Sequence, residues 1–151
     1  GIKEGLKENC KDNYEVIAEV DGLEAPEAQS NVESVLSAHP DANVFVGVGA
    51  GAMIGSNEAL LQKYGKGKIP ENVGVITTDV TEQQLNSLKA GNEAVRSIVG
   101  FEGSNEDTAK ACMEMYERIL SGEKFEGDDH NVYRTIKPIT TDNIDEILKG
   151  M

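Results

Sequence analysis

Two short, uninterrupted apolar runs flank one amphipathic segment between Asn43 and Asp79, and this spacing limits the fold more than any other feature. The first run is Val44-Phe45-Val46-Gly47-Val48, followed by the turn Gly49-Ala50-Gly51 and a helical pattern from about Ala52 to Tyr64. Gly65 stops that helix, and the second run, Val73-Gly74-Val75-Ile76, ends in Thr77-Thr78-Asp79. Continuous β-branched runs that each lead into an amphipathic segment predict parallel strands covered on both faces by helices. In such sheets ligands bind beyond the carboxyl ends of the strands. Gly49–Gly51 and Thr78–Asp79 are expected side by side on that rim.

Composition narrows the class. The chain has 151 residues, one domain's worth or a piece of a larger protein, and 38% of them are hydrophobic, enough for a core. No apolar run approaches the roughly 18–20 residues of a membrane helix. The chain opens on Gly1, so a processed or trimmed start is expected. A formal charge of −13 argues against a nucleic-acid surface, because phosphate contacts need clustered Lys and Arg. The same charge disfavours an acidic membrane and suits solvated helix faces. Cys10 and Cys112 lack metal-ligand spacing and are expected as small core residues.

Taken in order, Ile2, Leu6 and Cys10 share one face of a first short helix. Residues 14–20 read as a strand ending at Asp21-Gly22. Pro26 suits the first turn of the next helix, whose inward stripe is Ala28, Val32, Val35 and Leu36. Pro40 closes that helix by disfavouring α geometry at His39. After Asp79, Thr81-Glu-Gln-Gln84 matches a capping box, and Gly91 fits a C′ position. Ala94–Val99 reads as a strand. Ser104-Asn-Glu-Asp107 starts a longer helix with Ala109, Cys112, Tyr116, Ile119 and Leu120 as its apolar stripe. Val132–Ile139 is extended, with Pro138 suiting an edge, and Asp142 can cap a last helix over 143–149. The alternation of helix and strand indicates an α/β fold with a doubly wound, predominantly parallel sheet.

Two candidate sites follow, each with a structural alternative. Gly47–Gly55 invites a dinucleotide reading, since glycines after a strand let a pyrophosphate approach a helix N-terminus. The spacing from Gly49 is G-x-G-x-x-x-G, however, and Asp79 comes 30 positions after Gly49. The acidic residue of that fingerprint is expected about 20 positions on. A tight turn with close helix–sheet packing accounts for the glycines better. Asp79 suits a ligand-binding carboxylate or a helix cap, and Thr81 is already available to cap the following helix. Neither His39 nor His130 falls near the rim, and no His/Cys/carboxylate cluster has metal-ligand spacing. Nothing in the residues demands an enzyme or a cofactor.

Several phrases, in their order, resemble one family. They are Gly5-Leu6-Lys7, Val35-Leu-Ser-Ala-His-Pro-Asp41, Val44-Phe45 before Gly55…Ala59-Leu60, and Val73-Gly-Val-Ile-x-x-Asp79. Leu88-Lys-Ala-Gly91, Ser97-Ile98, Leu120-Ser-Gly-Glu-Lys124 and Ile139-Thr-Thr-Asp-Asn-Ile-Asp145 complete the series. Together they resemble the C-terminal half of type I periplasmic binding proteins, the ribose-binding-like solute receptors of ABC sugar importers. The resemblance implies two α/β lobes of flavodoxin-like topology joined by a three-stranded hinge. A sugar is clamped between them, and the closed form is presented to a membrane permease.

Under that resemblance the first lobe is absent here, and so is the second lobe's opening strand, expected between 14–20 and 43–48. Residues 1–99 form most of the C-terminal lobe, 100–131 pack in the N-terminal lobe, and 132–151 are a return segment and terminal helix. Asp79, with Thr78 beside it, matches the family's cleft aspartate. The usual polar pair after the central strand falls on Gly49-Ala50, the stacking aromatic at about Leu23, and the hinge-side amide near Gly100. The ligand is then a sugar-like molecule, less polar or larger than a monosaccharide, or held mainly by the other lobe. The implied location is periplasmic or extracellular, with a lipoprotein anchor on a Gram-positive surface. The effector-binding core of a LacI-type transcription regulator shares the fold and is the alternative; a nucleotide-dependent enzyme is the third reading.

Overall fold

The computed structural model describes residues 1–149. In chain order the elements are α1 (Ile2–Cys10), α2 (Ala25–Ala38), β1 (Val44–Gly47), α3 (Ala50–Tyr64), β2 (Gly74–Thr78) and α4 (Glu82–Ala90). They continue with β3 (Val95–Phe101), α5 (Asn105–Leu120), β4 (Ile136–Ile139) and α6 (Ile144–Lys149). The sheet order is β1-β2-β3-β4, with β1, β2 and β3 parallel and β4 antiparallel to β3. The central β1–α3–β2 unit is thus as expected from the two apolar runs, and α/β architecture with a parallel-dominated sheet follows.

Register shows where the core lies. Phe45 pairs with Val75, Thr77 with Ile98, and Ile98 with Ile139, so these side chains share one face. On that face Val32 and Leu36 of α2, Met53 and Leu60 of α3, Leu85 and Leu88 of α4 and Ile144 of α6 close a single apolar cluster. Right-handed crossovers put α3 and α4 on the same side of three sequentially ordered strands. The opposite face carries Val44, Val46, Phe101 and Ile136, which remain 43–64% exposed. Among the described residues, therefore, the helices bury one face of the sheet and leave the other open.

Local signals at the ends of α4 and α5 work as read, whereas the Asp142 side chain, expected to cap α6, makes no hydrogen bond among the described residues. Thr81 and Gln84 form a reciprocal capping box on α4, Ser104 and Asp107 do the same on α5, and Gly91 ends α4 in the left-handed region. Contact between α2 and α3 depends on Gly55. A Cβ there would stand 2.3 Å from the carbonyl oxygen of Ala25 and 2.6 Å from the Cβ of Ala28. The two helices can approach this closely only because position 55 has no side chain.

Four expectations need correction. Among the described residues, helices cover one face of the sheet rather than both. Residues 14–20 belong to no strand, and Val16, Ile17 and Val20 are exposed. An extended segment without a neighbouring ladder cannot satisfy its backbone groups as a strand does. The final strand is shorter than 132–139, starting at Ile136 where pairing with Phe101 begins. Cys112 is exposed rather than a core residue, and no residue of α5 is buried; residues 130–134 lie beside Cys112 but leave Tyr116, Ile119 and Leu120 exposed.

A buried polar network joins α3 to the start of β3. The Asn57 amide donates to Glu93 Oε2 at 3.0 Å, and its oxygen accepts from the Ala94 N–H at 2.9 Å. Lys66 Nζ donates to Glu93 Oε1 at 2.7 Å. The Lys66 hydrogen bond, with further ones from Ser87 and Asn57, holds the Glu93 carboxyl below its ordinary value against the opposing effect of burial.

Two outcomes follow. Gly55→Val should lower stability by about 1–3 kcal/mol through overpacking at the α2–α3 contact, read as a shift in the urea midpoint; an unchanged midpoint would mean the helices separate at no cost. The unfolded chain binds protons on Glu93 at higher pH than the folded chain does. The Glu93 contribution is therefore complete above the ordinary carboxylate range and is lost as pH falls through the depressed folded value. Glu93→Gln should flatten that acid limb in stability measured against pH, and an identical limb in both proteins would exclude the network as its source.

Candidate functional site

The α3 N-terminus begins with Gly49 as its N-cap residue and Ala50 as its first helical residue, and neither brings a polar side chain. Its leading N–H groups still need acceptors, as at any helix start. The end of the neighbouring strand supplies them. Gly49 N–H donates to Thr78 Oγ1 at 2.9 Å, and Ala50 N–H donates to Asp79 Oδ2 at 3.1 Å. The single Thr77 hydroxyl proton is shared between the Thr78 carbonyl at 2.9 Å and the Gly49 carbonyl at 3.3 Å. The expected rim thus exists, tied together by hydrogen bonds between the β2 end and the β1–α3 turn.

Of the two roles open to Asp79 from sequence, the structure shows the cap, made on α3 rather than α4. Thr81 caps α4, as expected. The Asp79 carboxylate is not left wholly free by this, because its Oδ2 caps α3 across the rim. Asp79 Oδ1 has no hydrogen-bond partner among the described residues, and the residue is exposed. Its φ of 69° lies in the left-handed region, uncommon outside glycine but accessible to Asp. Backbone conformations of this kind concentrate at binding and active sites. A negative group at a helix N-terminus also meets the positive end of the helix dipole.

Leu23 reaches the same rim through its backbone. A Cβ on Gly51 would stand 2.0 Å from the Leu23 carbonyl oxygen, so that chain segment lies directly against the first turn of α3. The Asn31 side-chain amide holds the segment from behind by donating to the Asp21 carbonyl at 2.7 Å. The Leu23 side chain itself is 78% exposed. Leu23, Gly49, Ala50, Thr78 and Asp79 are therefore brought together. Gly100 is not part of the same surface. It follows Val99, which pairs with Thr78, but it is buried and the direction of its absent side chain points at Val80 and Ile139.

Sequence reasoning missed Thr77, which is 1% exposed and holds the Gly49 carbonyl. Its signal was its position on the core-facing side of β2, where a hydroxyl requires a buried partner. His39 and His130 lie outside the cluster, as expected from sequence. The arrangement can accept hydrogen bonds at one carboxylate beside an exposed leucine. With no histidine, lysine or cysteine in the cluster, it contains no paired acid and base. A polar groove of about 620 Å³ lies between α3 and α4, and a smaller one of about 300 Å³ lies between α5 and residues 130–134. Neither is lined by any residue of this rim.

Comparison with known proteins bears on the family and the fold. The family described as periplasmic binding protein domain matches residues 1–124. No curated protein matches the chain. Among solved structures, a 5-methylthioribose transporter solute binding protein from Thermotoga lettingae is 17% identical with a TM-score of 0.75, covering 98% of this chain and 44% of that one. The Caulobacter myo-inositol binding protein is 19% identical with a TM-score of 0.74, covering 96% and 46%. A periplasmic ribose ABC transporter protein from Conexibacter woesei is 19% identical with a TM-score of 0.71, covering 99% and 47%. The chain spans less than half the length of these structures, and at such identities they show a shared fold. The match over residues 1–124, more than half of the chain, means that the chain belongs to the periplasmic binding protein domain family.

Proposed function

We propose that the chain is the C-terminal portion of an extracytoplasmic solute-binding protein that holds a sugar or sugar-like molecule between two lobes and delivers it to an ABC importer. One observation carries the reading. Asp79 is fixed at the rim by Ala50 while its second oxygen stays open, the arrangement a carboxylate needs to accept hydrogen bonds from ligand hydroxyls. The named structures in which this lobe recurs are solute-binding proteins for 5-methylthioribose, myo-inositol and ribose. Neither the family match nor those structures favours the regulator reading.

In this reading residues 1–99 form most of one lobe, residues 100–131 pack against the other, and residues 132–151 return to the first. The exposed apolar stripe on α5 supports that division. Tyr116, Ile119 and Leu120 are 54–68% exposed, as expected of a helix whose packing partner lies elsewhere. The ligand contacts on this side are Asp79 and Thr78, the backbone of Gly49 and Ala50, and the apolar side chain of Leu23. Lobe closure about a hinge traps the ligand, and an ABC permease receives it. Such a receptor works in the periplasm or outside the cell, held by a lipid anchor where there is no outer membrane.

The test is calorimetric titration of the two-lobed protein with ribose, myo-inositol and 5-methylthioribose. One of them should bind saturably. Asp79→Ala should weaken that binding by about 1.5–3 kcal/mol, the range for a hydrogen bond to a charged group, or roughly ten- to a hundredfold. Saturable binding with unchanged affinity in the variant would remove Asp79 from the site.

A further inference from the structure

Two fully buried polar side chains, Thr77 and Gln84, meet at one backbone carbonyl behind the rim. Gln84 does more than close the α4 capping box. Its Oε1 accepts from the Thr81 N–H at 3.0 Å and from Thr81 Oγ1 at 2.9 Å. With the oxygen so engaged, the amide nitrogen is left to donate elsewhere, and it donates to the Thr78 carbonyl at 3.1 Å. The same carbonyl accepts from the Thr77 hydroxyl at 2.9 Å. A capping box needs only the oxygen of the residue at this position, and an ionised glutamate would close it equally well. The donor end of Gln84 therefore serves something other than the helix.

What it serves is the peptide that leads into Asp79. The Thr78 carbonyl belongs to that peptide, so gripping it from two sides fixes the plane from which the Asp79 φ of 69° is measured. Left-handed backbone is unfavourable for a residue with a Cβ, and it persists where the surroundings hold it. The side chain is held from the opposite direction, by the Ala50 N–H on Oδ2. The Thr77 hydroxyl also reaches the Gly49 carbonyl at 3.3 Å, which ties the same brace to the turn that carries Ala50.

We infer that Thr77 and Gln84 are positioning residues for ligand binding. By holding the Thr78 carbonyl they keep Asp79 left-handed, with Oδ2 on Ala50 and Oδ1 presented to a ligand hydroxyl. The inference rests on the reading of Asp79 as a ligand-binding carboxylate. Both residues are buried and act only through Asp79. Without the brace Asp79 relaxes toward negative φ, and the cap on Ala50 and the aim of Oδ1 are lost together. Apparent affinity then falls with the fraction of molecules still competent to bind.

Thr77→Val keeps the side-chain shape and removes the hydroxyl. The Thr78 carbonyl retains Gln84, and the Gly49 carbonyl retains the Met53 N–H at 3.4 Å, so no acceptor is stranded. Gln84→Met removes the second grip, while the Thr81 hydroxyl still caps the backbone N–H of position 84. The two-lobed protein is titrated with ribose, myo-inositol and 5-methylthioribose. Both variants should keep a cooperative melting transition and bind the saturating sugar roughly three- to tenfold more weakly, the span of one neutral hydrogen bond. Thr77→Ser should restore the affinity. Combined with Asp79→Ala, Thr77→Val should cost less than about twofold, because the two changes act on one group. Without ligand, the Asp79 backbone couplings in NMR, which report the sign of φ, should move away from the left-handed value in both variants. Full affinity in Thr77→Val and Gln84→Met where Asp79→Ala has lost it would overturn the brace and spare the sugar reading. An equal loss from Thr77→Val with and without the Asp79 carboxylate would also overturn it, as a general loss of packing. Parent-like binding by Asp79→Ala would overturn the ligand reading and the ligand role of the brace with it, whereas an Asp79 φ that stays positive in both variants would overturn the brace itself.

Discussion

The α3 N-terminus depends on hydrogen bonds that its own residues cannot make. Gly49 and Ala50 provide N–H groups and no side-chain acceptor, so Thr78 and Asp79 at the end of β2 must supply the oxygens. This one exchange aligns two strand ends, sets where α3 begins and leaves the free oxygen of Asp79 over the rim. A cap from the helix's own N-cap residue would have satisfied the same N–H groups without gathering the rim. Here the cap and the candidate binding group are one side chain.

The same economy of side chains recurs around the turn. Gly51 accepts the Leu23 carbonyl where any Cβ would collide, and Gly55 does the same for Ala25 and Ala28 one turn later. The glycines that suggested a dinucleotide loop thus serve close approach of α2 and its preceding segment to α3. The apolar cluster behind them joins α2, α3, α4 and α6 to one face of the sheet. The open face, the bare β1 edge and the exposed stripe of α5 lie away from this cluster.

Much of this was legible in local pattern. The β1–α3–β2 unit, the capping boxes at Thr81 and Ser104 and the inward stripe of α2 all rest on contacts a few residues apart, or on burial repeated at one period. The rim itself was readable because strand ends in a parallel sheet must lie together. What could not be read was that one oxygen of the Asp79 carboxylate caps α3, because the hydrogen bond to Ala50 spans 29 positions. The orientation of Gly100 toward Val80 and Ile139 also depends on which face of β3 each residue occupies after the register shift between β2 and β3.

The sequence by itself determined an α/β chain with parallel strands, the helix boundaries, and a rim holding Gly49, Ala50, Thr78 and Asp79, since those follow from periodicity and turn chemistry. Only the tertiary structure decided whether Tyr14–Val20 becomes a strand and whether Cys112, Tyr116 and Leu120 are buried. Strand and burial are states of a residue with its neighbours. A β-branched extended segment without a ladder stays unpaired, and an apolar helix stripe without a cover stays exposed, however clearly each pattern is written.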